Sequence, residues 1–282
     1  MTALDKFREV SRLLNSSGID DAPREAEILI TETLGISKTE LYSGRYEITD
    51  EESIRVDSLA LRRSKREPLQ YILGFVEFLG LRFHLGKGVL IPRQETELLA
   101  QEAIRLLKDR KTGNARVLDL CTGSGCIAIT IARNLPDTVV YAIDISETAL
   151  KYACENARLN NVKNVIFMKG DLYEPLKLSG HKIRFDLIAS NPPYIRRKEI
   201  ETLQPEIREW EPIEALNGGE DGLDYYRRII GNSREFLTGE GEILLEVGDP
   251  DGVREIAISR GFKIISAIKD LSGFERILRL AS

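Results

Sequence analysis

Hydrophobic residues recur three or four positions apart over residues 1–73, a spacing typical of helices that bury one face. The first run of this kind consists of Leu4, Phe7, Val10, Leu13 and Leu14. Helix boundaries in the same region are indicated by Pro23, Gly35, a capping box of Ser37 with Glu40, Asp50 as an N-cap, and Pro68. No segment stands out as a strand, and the pattern therefore predicts a small N-terminal helical bundle.

The spacing changes over residues 74–92, where bulky apolar residues are interleaved with glycines. This composition favours strands joined by tight turns, and we predict a β-hairpin that links two domains. Pro92 is expected to end its last strand, because proline has no backbone N–H for a sheet ladder. His84 lies in the hairpin and is expected to be structural, while His181 falls in a polar loop.

From residue 115 onward, short apolar runs alternate with helical patterns, as in a doubly wound parallel sheet. The predicted strands are 116–120, 139–143, 165–168, 185–190, 242–247, 263–267 and 276–280. The helices between them are predicted to begin near Gly125, Ser146, Asp221 and Pro250. Residues 269–273 are too few for a helical crossover, so the last strand is expected to be antiparallel.

These patterns together predict an α/β fold with a seven-stranded, Rossmann-like sheet and an antiparallel last strand, preceded by a small helical bundle. The domain boundaries follow from the changes of pattern: a helical domain over residues 1–73, a hairpin linker over 74–92, and the sheet domain over 93–282. The helical domain is a candidate for recognition of a macromolecular substrate.

Composition adds information on partners and compartment. The net charge of −5 and the pI near 5.4 argue against a general affinity for nucleic acid phosphates. The basic run at residues 62–66 could bind nucleic acid, but acidic residues outnumber basic ones in the bundle, so a solvated helix face is the favoured interpretation.

Targeting signals and cysteines point to the inside of a cell. No apolar run approaches ~18–20 residues and the N-terminus lacks an apolar signal core, so no membrane association is expected. Three cysteines, an odd number, suggest no disulfide framework and fit a reducing, cytoplasmic location. Cys121 and Cys126 lack further ligands nearby, so we expect no metal site and small buried thiols instead.

A glycine-bearing turn follows the first predicted strand of the sheet, at residues 117–125 (Val-Leu-Asp-Leu-Cys-Thr-Gly-Ser-Gly). Glycine lets the backbone approach a ligand closely, and the N–H groups of the helix that follows can receive a polar group. Asp119, at the end of the strand, has either a role near the ligand or a purely structural one.

Acidic residues follow the next two strands. Asp144 is placed to accept hydrogen bonds from ribose hydroxyls, with a helix cap for the segment from Ser146 as the alternative. Asp171 could accept from an adenine amine, or could simply form a turn. Ligands of such sheets bind beyond the carboxyl ends of the strands, which is where these residues lie.

The fourth strand runs into Asn191-Pro192-Pro193-Tyr194. Two prolines cannot continue a ladder, and both Asn191 and Pro192 precede a proline, so their backbone is extended. The alternative is an ordinary proline-rich loop, but the sharper prediction is a stiff corner. There the Asn191 side chain, the Pro192 carbonyl and the Tyr194 ring converge on one small volume.

These motifs resemble the class I S-adenosylmethionine-dependent methyltransferases, in which Asn-Pro-Pro-Tyr marks enzymes that methylate planar amide or amine nitrogens. The helical N-terminal domain and the segment 91–97 (Ile-Pro-Arg-Gln-Glu-Thr-Glu) are similar to the protein glutamine methyltransferases of the PrmC/HemK group. These modify the glutamine of the Gly-Gly-Gln loop of class-1 peptide-chain release factors. The resemblance covers essentially the whole chain, but Cys121 replaces the usual first glycine of the turn and Gln94 a common proline.

The resemblance implies S-adenosylmethionine as cofactor, S-adenosylhomocysteine as product, and a class-1 release factor as substrate. Implied catalytic residues are Asn191, Pro192 and Tyr194, which with Pro193 also bind the substrate. Implied cofactor-binding residues are Asp119, Cys121, Thr122, Gly123, Ser124, Gly125, Asp144, Ile145, Asp171, Leu172 and Asn191. On resemblance alone, Arg93, Thr96 and Glu97 would line the cofactor side of the pocket.

Two other functions remain open at the level of sequence. The same corner suits any planar NH₂ group, so a methyltransferase acting on adenine or guanine amines is one alternative. A non-catalytic module that binds a translation factor is the other. The acidic bundle disfavours the first, and the intact set of motifs disfavours the second.

Overall fold

The computed structural model describes residues 1–109, 114–178 and 182–281 and divides the chain into two compact units. The helical unit comprises Met1–Phe75 together with Gln204–Trp210, and the sheet unit comprises Val76–Leu203 and Glu211–Ser282. The short return segment, Gln204–Trp210, is far from the first helices in sequence, and local patterns do not assign it to them. His181 lies outside the described residues.

The helical unit contains the predicted helices in the predicted order: α1 (Ala3–Ser16), α2 (Ala22–Leu34), α3 (Lys38–Ser43), α4 (Asp50–Ser64) and α5 (Leu69–Leu73). Gly35 ends α2 in the left-handed conformation, with φ of 67°. The Ser37–Glu40 capping box is confirmed at α3. At α4 the N-cap is Thr49, not Asp50, because Thr49 forms the capping box with Glu52.

The buried face of this unit is less purely apolar than its sequence indicates. Leu13, expected on the apolar face of α1, is exposed, whereas Lys6 is 2 % exposed. The Lys6 ammonium is paired with Asp57 at 2.7 Å and with Glu9 at 3.1 Å, which compensates its charge. Charged groups therefore lie within the helical packing and not only around it.

Arg63 shows the same feature more strongly. Its side chain is 5 % exposed and donates hydrogen bonds to Glu25 and, at 2.9 Å, to Glu206 of the return segment. Arg66 donates to Glu206 at 2.7 Å and to the carbonyl of Gly18. The expectation of a solvated face for residues 62–66 is therefore wrong at Arg63, because its guanidinium is enclosed by acidic partners from distant parts of the chain.

The predicted hairpin is formed by β1 (Phe75–Phe78) and β2 (Leu81–His84). Its second strand ends at His84 and not at Pro92, and residues 85–93 run without regular structure to α6 (Gln94–Asp109). Asn156 stops the ladder early, because its side chain accepts from the His84 N–H at 2.6 Å and donates to the His84 carbonyl at 3.0 Å.

The sheet has seven strands: β3 (Arg116–Leu120), β4 (Val139–Asp144), β5 (Val165–Lys169), β6 (Phe185–Ser190), β7 (Leu237–Glu246), β8 (Lys263–Lys269) and β9 (Glu275–Ala281). Their order is β5-β4-β3-β6-β7-β9-β8. β9 pairs antiparallel with β7 and β8, while β3 to β7 are parallel, so the predicted fold class is confirmed.

Helices cover both faces of the sheet unit. The longer ones are α7 (Cys126–Asn134), α8 (Glu147–Leu159), α11 (Asp224–Ser233) and α12 (Pro250–Ser259). The shorter ones, which patterns did not predict, are α9 (Glu174–Leu178) and two 3-10 turns, Arg197–Thr202 and Ile213–Ala215. A further short helix, α10 (Pro205–Arg208), lies in the return segment and belongs to the helical unit. One apolar cluster lies between the sheet, α6 and α7, and a second between the sheet, α11 and α12.

Two boundaries differ from the prediction by several residues. β7 begins at Leu237, not near residue 242. The prediction missed the first half of the strand because that half contains polar residues and glycines. Gly241 is needed there, since an added Cβ would lie 2.8 Å from the Phe185 carbonyl oxygen. α11 begins at Asp224 and not near Asp221, because Gly222 has a φ of 78° that ends any helical path.

The buried position of Arg63 leads to a testable difference between neighbouring arginines. Arg63→Ala should lower the free energy of unfolding by about 3 kcal/mol, since it removes a buried guanidinium from the partly buried Glu25 and leaves Glu206 with Arg66 alone. Arg62, which is 44 % exposed and paired with Glu67, is the matched control, and Arg62→Ala should lower it by less than about 1 kcal/mol. Urea denaturation followed by circular dichroism measures both; equal losses would contradict the assignment of Arg63 to the interior.

Candidate functional site

Strand register brings the sequence motifs to one edge of the sheet. Leu120 lies opposite both Ser190 of β6 and Ile143 of β4, and Ile143 lies opposite Met168 of β5. The residues that follow these positions therefore leave the sheet side by side at its carboxyl end. The strand order also reverses between β3 and β6, the topological switch point where ligands bind in open α/β sheets.

A cavity of about 340 Å³ opens at this switch point, a volume in the range of small-molecule sites. Eight of the predicted site residues line it: Cys121, Gly123, Asp144, Ile145, Asp171, Leu172, Asn191 and Pro193. The remaining predicted residues are not part of its lining: Asp119, Thr122, Ser124, Gly125, Pro192 and Tyr194. The cavity therefore joins the glycine turn, both strand-end acids and the proline corner.

Other lining residues were not predicted. They come from the segment after the hairpin, from the ends of β4 and β5, from a 3-10 turn with the residue before it, and from helix starts: Gly88, Val89, Leu90, Ile143, Ser146, Ala149, Gly170, Pro212, Glu214, Ala215 and Tyr225. None belongs to a recognisable motif. Gly86 and Gly88 are the signal in the sequence for a close approach of the first segment, although glycines at such spacing equally suit the turns of a hairpin.

The turn after β3 adopts the left-handed conformation at three positions. Gly123 and Gly125 have φ of 56° and 82°, and Cys121 has φ of 59°. An added Cβ at Gly123 would meet nothing within 4 Å, so the backbone here faces open space. Cys121 takes the conformation that the family's usual glycine adopts freely, at a cost of roughly 1–2 kcal/mol for a residue with a side chain.

Asp119 has a structural position in this turn. It is fully buried, and its Oδ2 accepts from the Thr122 hydroxyl at 2.5 Å and from the Ala128 N–H at 3.2 Å. Burial raises the pKa of Asp119 to about 7, although these hydrogen bonds act against the shift. Asp119 thus connects the end of β3 to the first turn of α7.

Asp144 is held at the cavity by two backbone N–H groups, while the N-cap of α8 is Ser146. The Asp144 Oδ2 accepts from the Gly123 N–H and its Oδ1 from the Ser146 N–H, each at 2.8 Å, and the residue still lines the cavity. Each carboxylate oxygen has a second lone pair for a ligand hydroxyl. Burial raises the pKa of Asp144, and the backbone hydrogen bonds counteract that effect.

Asp171 is also held in place. Its Oδ2 accepts a hydrogen bond from the Arg228 guanidinium at 2.6 Å. The central carbon of that guanidinium, Cζ, lies 5.6 Å from the centre of the Tyr225 ring. Asp171 and Tyr225 line the cavity together. A carboxylate beside an aromatic ring offers a hydrogen-bond acceptor next to a flat apolar surface.

The proline corner is fixed from both sides. Ser190 donates from its hydroxyl to the Leu120 carbonyl at 2.8 Å, and Asn191 donates from Nδ2 to the Thr96 hydroxyl at 3.0 Å. Tyr194 packs against Gly248, where an added Cβ would lie 2.5 Å from ring atom Cδ2. Burial raises the pKa of Tyr194 to about 12, so its hydroxyl stays protonated.

A glycine-rich loop that sequence reasoning missed closes over the corner. Ile195 donates its N–H to the Leu216 carbonyl and accepts from the Gly218 N–H, both at 2.9 Å. A Cβ added at Gly218 would lie 2.7 Å from the Tyr194 Cα, and one at Gly222 would lie 2.5 Å from the Tyr194 carbonyl oxygen. The glycines at 218, 219 and 222 were the signal that could have identified it.

Arg93, Thr96 and Glu97 support the site and do not line its cavity. Arg93 pairs with the buried Glu211, and Glu97 accepts from the Leu79 N–H at 2.9 Å. Thr96 contacts Asn191 as described. Over the parts of the chain that the structure describes, no group of three or more His, Cys, Asp and Glu side chains could hold a metal ion.

Comparison with known proteins agrees with this geometry. Residues 5–74 match the family model of the PrmC N-terminal domain, and residues 95–207 match that of the methyltransferase small domain. A crystal structure of a S-adenosylmethionine-dependent methyltransferase from Agrobacterium tumefaciens superposes with a TM-score of 0.50 at 14 % identity; the match covers 73 % of this chain and 68 % of that one. At that identity the likeness concerns the fold.

Full-length relatives define the family. A release factor glutamine methyltransferase of Thermodesulfovibrio yellowstonii is 47 % identical over 99 % of this chain and 98 % of its own length. One from Geobacter sulfurreducens is 41 % identical, with 94 % and 91 % covered. The resemblance noted in the sequence is thereby confirmed. The chain belongs to the family of release factor glutamine methyltransferases and is an S-adenosylmethionine-dependent enzyme.

Proposed function

We propose that the chain transfers a methyl group from S-adenosylmethionine to the side-chain amide nitrogen of the glutamine in the Gly-Gly-Gln motif of class-1 peptide-chain release factors. The observation that carries this proposal is a single cavity lined both by the pair Asp144 and Asp171 and by the pair Asn191 and Pro193. The first pair suits a nucleoside, and the second suits a planar NH₂ group.

The residues present fit the cofactor. Asp144 would accept from the ribose hydroxyls and Asp171 from the adenine amine, with Leu172 and Tyr225 offering apolar surface. The open space in front of Gly123 would receive the amino acid part, next to Cys121. When bound, S-adenosylmethionine supplies a methyl group already activated by its sulfonium.

The chain's own contribution is the placement of a poor nucleophile. The lone pair of an amide nitrogen is delocalised, so the nitrogen must be held in one orientation. The Asn191 Oδ1 and the Pro192 carbonyl are acceptors for the two N–H bonds of the glutamine amide, and Tyr194 borders its flat face. Positioning of this kind can lower a barrier by ~7–11 kcal/mol in favourable systems.

The same acceptors favour the positive charge that develops on the nitrogen. An N-methylated amide cation is acidic and loses its proton to water, so the corner needs no strong general base. The proposed roles of Asn191, Pro192 and Tyr194 are therefore selection and orientation of the amide.

The domain roles belong to the same proposal. Residues 1–73 would recognise the release factor, residues 74–92 would link the two domains, and residues 93–282 would catalyse the methyl transfer. No described helix is long and apolar enough to cross a membrane. A release factor substrate implies action in the cytoplasm, and neither nucleic acid nor membrane is a proposed partner. The engagement of Arg62, Arg63 and Arg66 with glutamates supports the first of these exclusions.

The direct test is mass spectrometry of a release factor. Purified enzyme, S-adenosylmethionine and a class-1 release factor should yield one tryptic peptide, the one containing Gly-Gly-Gln, with one added methyl group on its glutamine. Total nucleic acid incubated in parallel should remain unmodified. Methylation of nucleic acid with an unmodified release factor would favour the adenine or guanine alternative and contradict the proposal.

Asn191→Ala should lower kcat by about 100-fold or more, the scale seen when one preorganised polar contact to a reacting group is removed. The affinity for S-adenosylhomocysteine, measured by calorimetry, should stay near the wild-type value. Normal turnover in this variant would contradict the assigned role of the corner.

Asp144→Ala should instead weaken S-adenosylhomocysteine binding by about 10- to 100-fold, because charge-assisted hydrogen bonds contribute roughly 1.5–3 kcal/mol. Asp249→Ala is the matched control, since Asp249 caps α12 by accepting from the Gly252 N–H at 3.0 Å and does not line the cavity. That variant should lower thermal stability and leave the Kd unchanged. Equal weakening in both variants would mean that the loss of Asp144 acts only through general destabilisation.

A further inference from the structure

A buried carboxylate lies behind the proline corner and has no part in the proposed function. Glu246 is the last residue of β7 and is 2 % exposed. Its Oε2 has no hydrogen-bond partner among the described residues, which is costly for a buried polar atom. Its backbone carbonyl accepts from the Tyr226 hydroxyl at 2.8 Å, so the strand end is fixed where it lies.

Thr96 connects this carboxylate to the corner. Thr96 is on the first turn of α6, is 2 % exposed, and accepts from Asn191 Nδ2 at 3.0 Å. The hydroxyls of Thr96 and Tyr194 favour the charged form of the Glu246 carboxylate and act against the rise in its pKa that burial causes. Three side chains from three elements, Glu246, Thr96 and Asn191, are thus adjacent in that order.

The hydrogen-bonding capacity of the Thr96 hydroxyl allows Glu246 to influence the orientation of the Asn191 amide. A hydroxyl has one proton to donate and lone pairs to accept with. If the Thr96 proton is directed to the Glu246 carboxylate, the side facing Asn191 can only accept. Asn191 must then present Nδ2 to Thr96, and its Oδ1 faces the cavity.

The opposite orientation of Asn191 would be unproductive. Its Nδ2 would then face the NH₂ group of a glutamine substrate, and two donors would oppose each other. A rotated amide would instead suit a carboxylate, which only accepts. The orientation of one side chain thus decides between a glutamine and a glutamate in the site.

We propose that Glu246 and Thr96 are positioning residues that fix the amide orientation of Asn191 and thereby make the corner selective for an NH₂ group. This inference rests on the proposed function, because it assumes that Asn191 faces the glutamine amide.

Thr96→Val tests the residue that connects Glu246 to Asn191. Loss of the acceptor for Asn191 Nδ2 should lower kcat about 10- to 100-fold, with KM for the release factor near the wild-type value. Thr96→Ser keeps the hydroxyl and should retain most of the activity. Thr130→Val is the matched control, because Thr130 is also fully buried, and its hydroxyl has no partner in the part of the chain that is described. It should be as active as wild type.

A selectivity measurement separates positioning from general damage. A release factor with glutamate in place of the target glutamine serves as a competitive inhibitor. The wild-type enzyme should bind the glutamate form of the release factor more weakly than the glutamine form. In Thr96→Val the Asn191 side chain is free to rotate, so the difference between these two affinities should become smaller or change sign. An unchanged ratio of the two affinities, together with wild-type kcat, would overturn the inference.

Glu246→Gln provides an independent test if Thr96→Val does not fold. The pKa of Glu246 is raised to about 7, chiefly by burial and also by the charge of Glu95 of α6, while Thr96, Arg276 of β9 and Tyr194 act in the opposite direction. Because the charged form holds the Thr96 proton, wild-type kcat should fall as pH decreases through about 7. The Glu246→Gln enzyme should have a lower kcat than wild type, and its kcat should not decrease in that pH range.

A wild-type pH dependence retained in Glu246→Gln would overturn the role of Glu246. Failure of the proposed function would look different, because the wild-type enzyme itself would then leave the release factor unmethylated.

Discussion

The carboxyl ends of β3 and β6 lie side by side, and every part of the site depends on this alignment. Leu120 is opposite Ser190, and the buried hydroxyl of Ser190 donates to the Leu120 carbonyl at 2.8 Å. A shift of one residue would turn each buried side chain to the other face of the sheet, so the two apolar clusters maintain the register. The glycine turn and the proline corner therefore meet at a spacing set by the sheet and need no direct bond to one another.

Much of this arrangement could be predicted from local sequence. β3 and β6 have the predicted bounds, because strands buried on both faces appear as continuous apolar runs. Asp144, Asp171 and Asn191 were identified by their positions directly after strands, and the cavity brings them together. The first half of β7 was missed because the residues after Leu237 include exposed polar groups and glycines, which carry no strand pattern.

The residues that support the site could not be predicted in the same way. Thr96 acquires its importance from Asn191, which lies 95 positions further along, and Arg63 from Glu206, which lies 143 positions further. A local window contains neither partner. Cys121 is an intermediate case: the sequence shows a cysteine in place of the usual first glycine of the turn, and only the structure shows that this cysteine adopts a φ of 59°.

The loop over the corner has a consequence for how the chain can change over time. The backbone leaves the corner after Ile195 and returns to it at Leu216 and Gly218. Hydrogen bonds join Ile195 to both of these residues. The ends of the intervening excursion are therefore held together regardless of what lies between them. Doubling the length of such an excursion costs only about 0.6 kcal/mol in loop-closure entropy. Extra residues can therefore be accommodated within this excursion without moving the corner, as long as Glu206 keeps its contact with Arg63 and Pro212, Glu214 and Ala215 keep their places in the cavity wall.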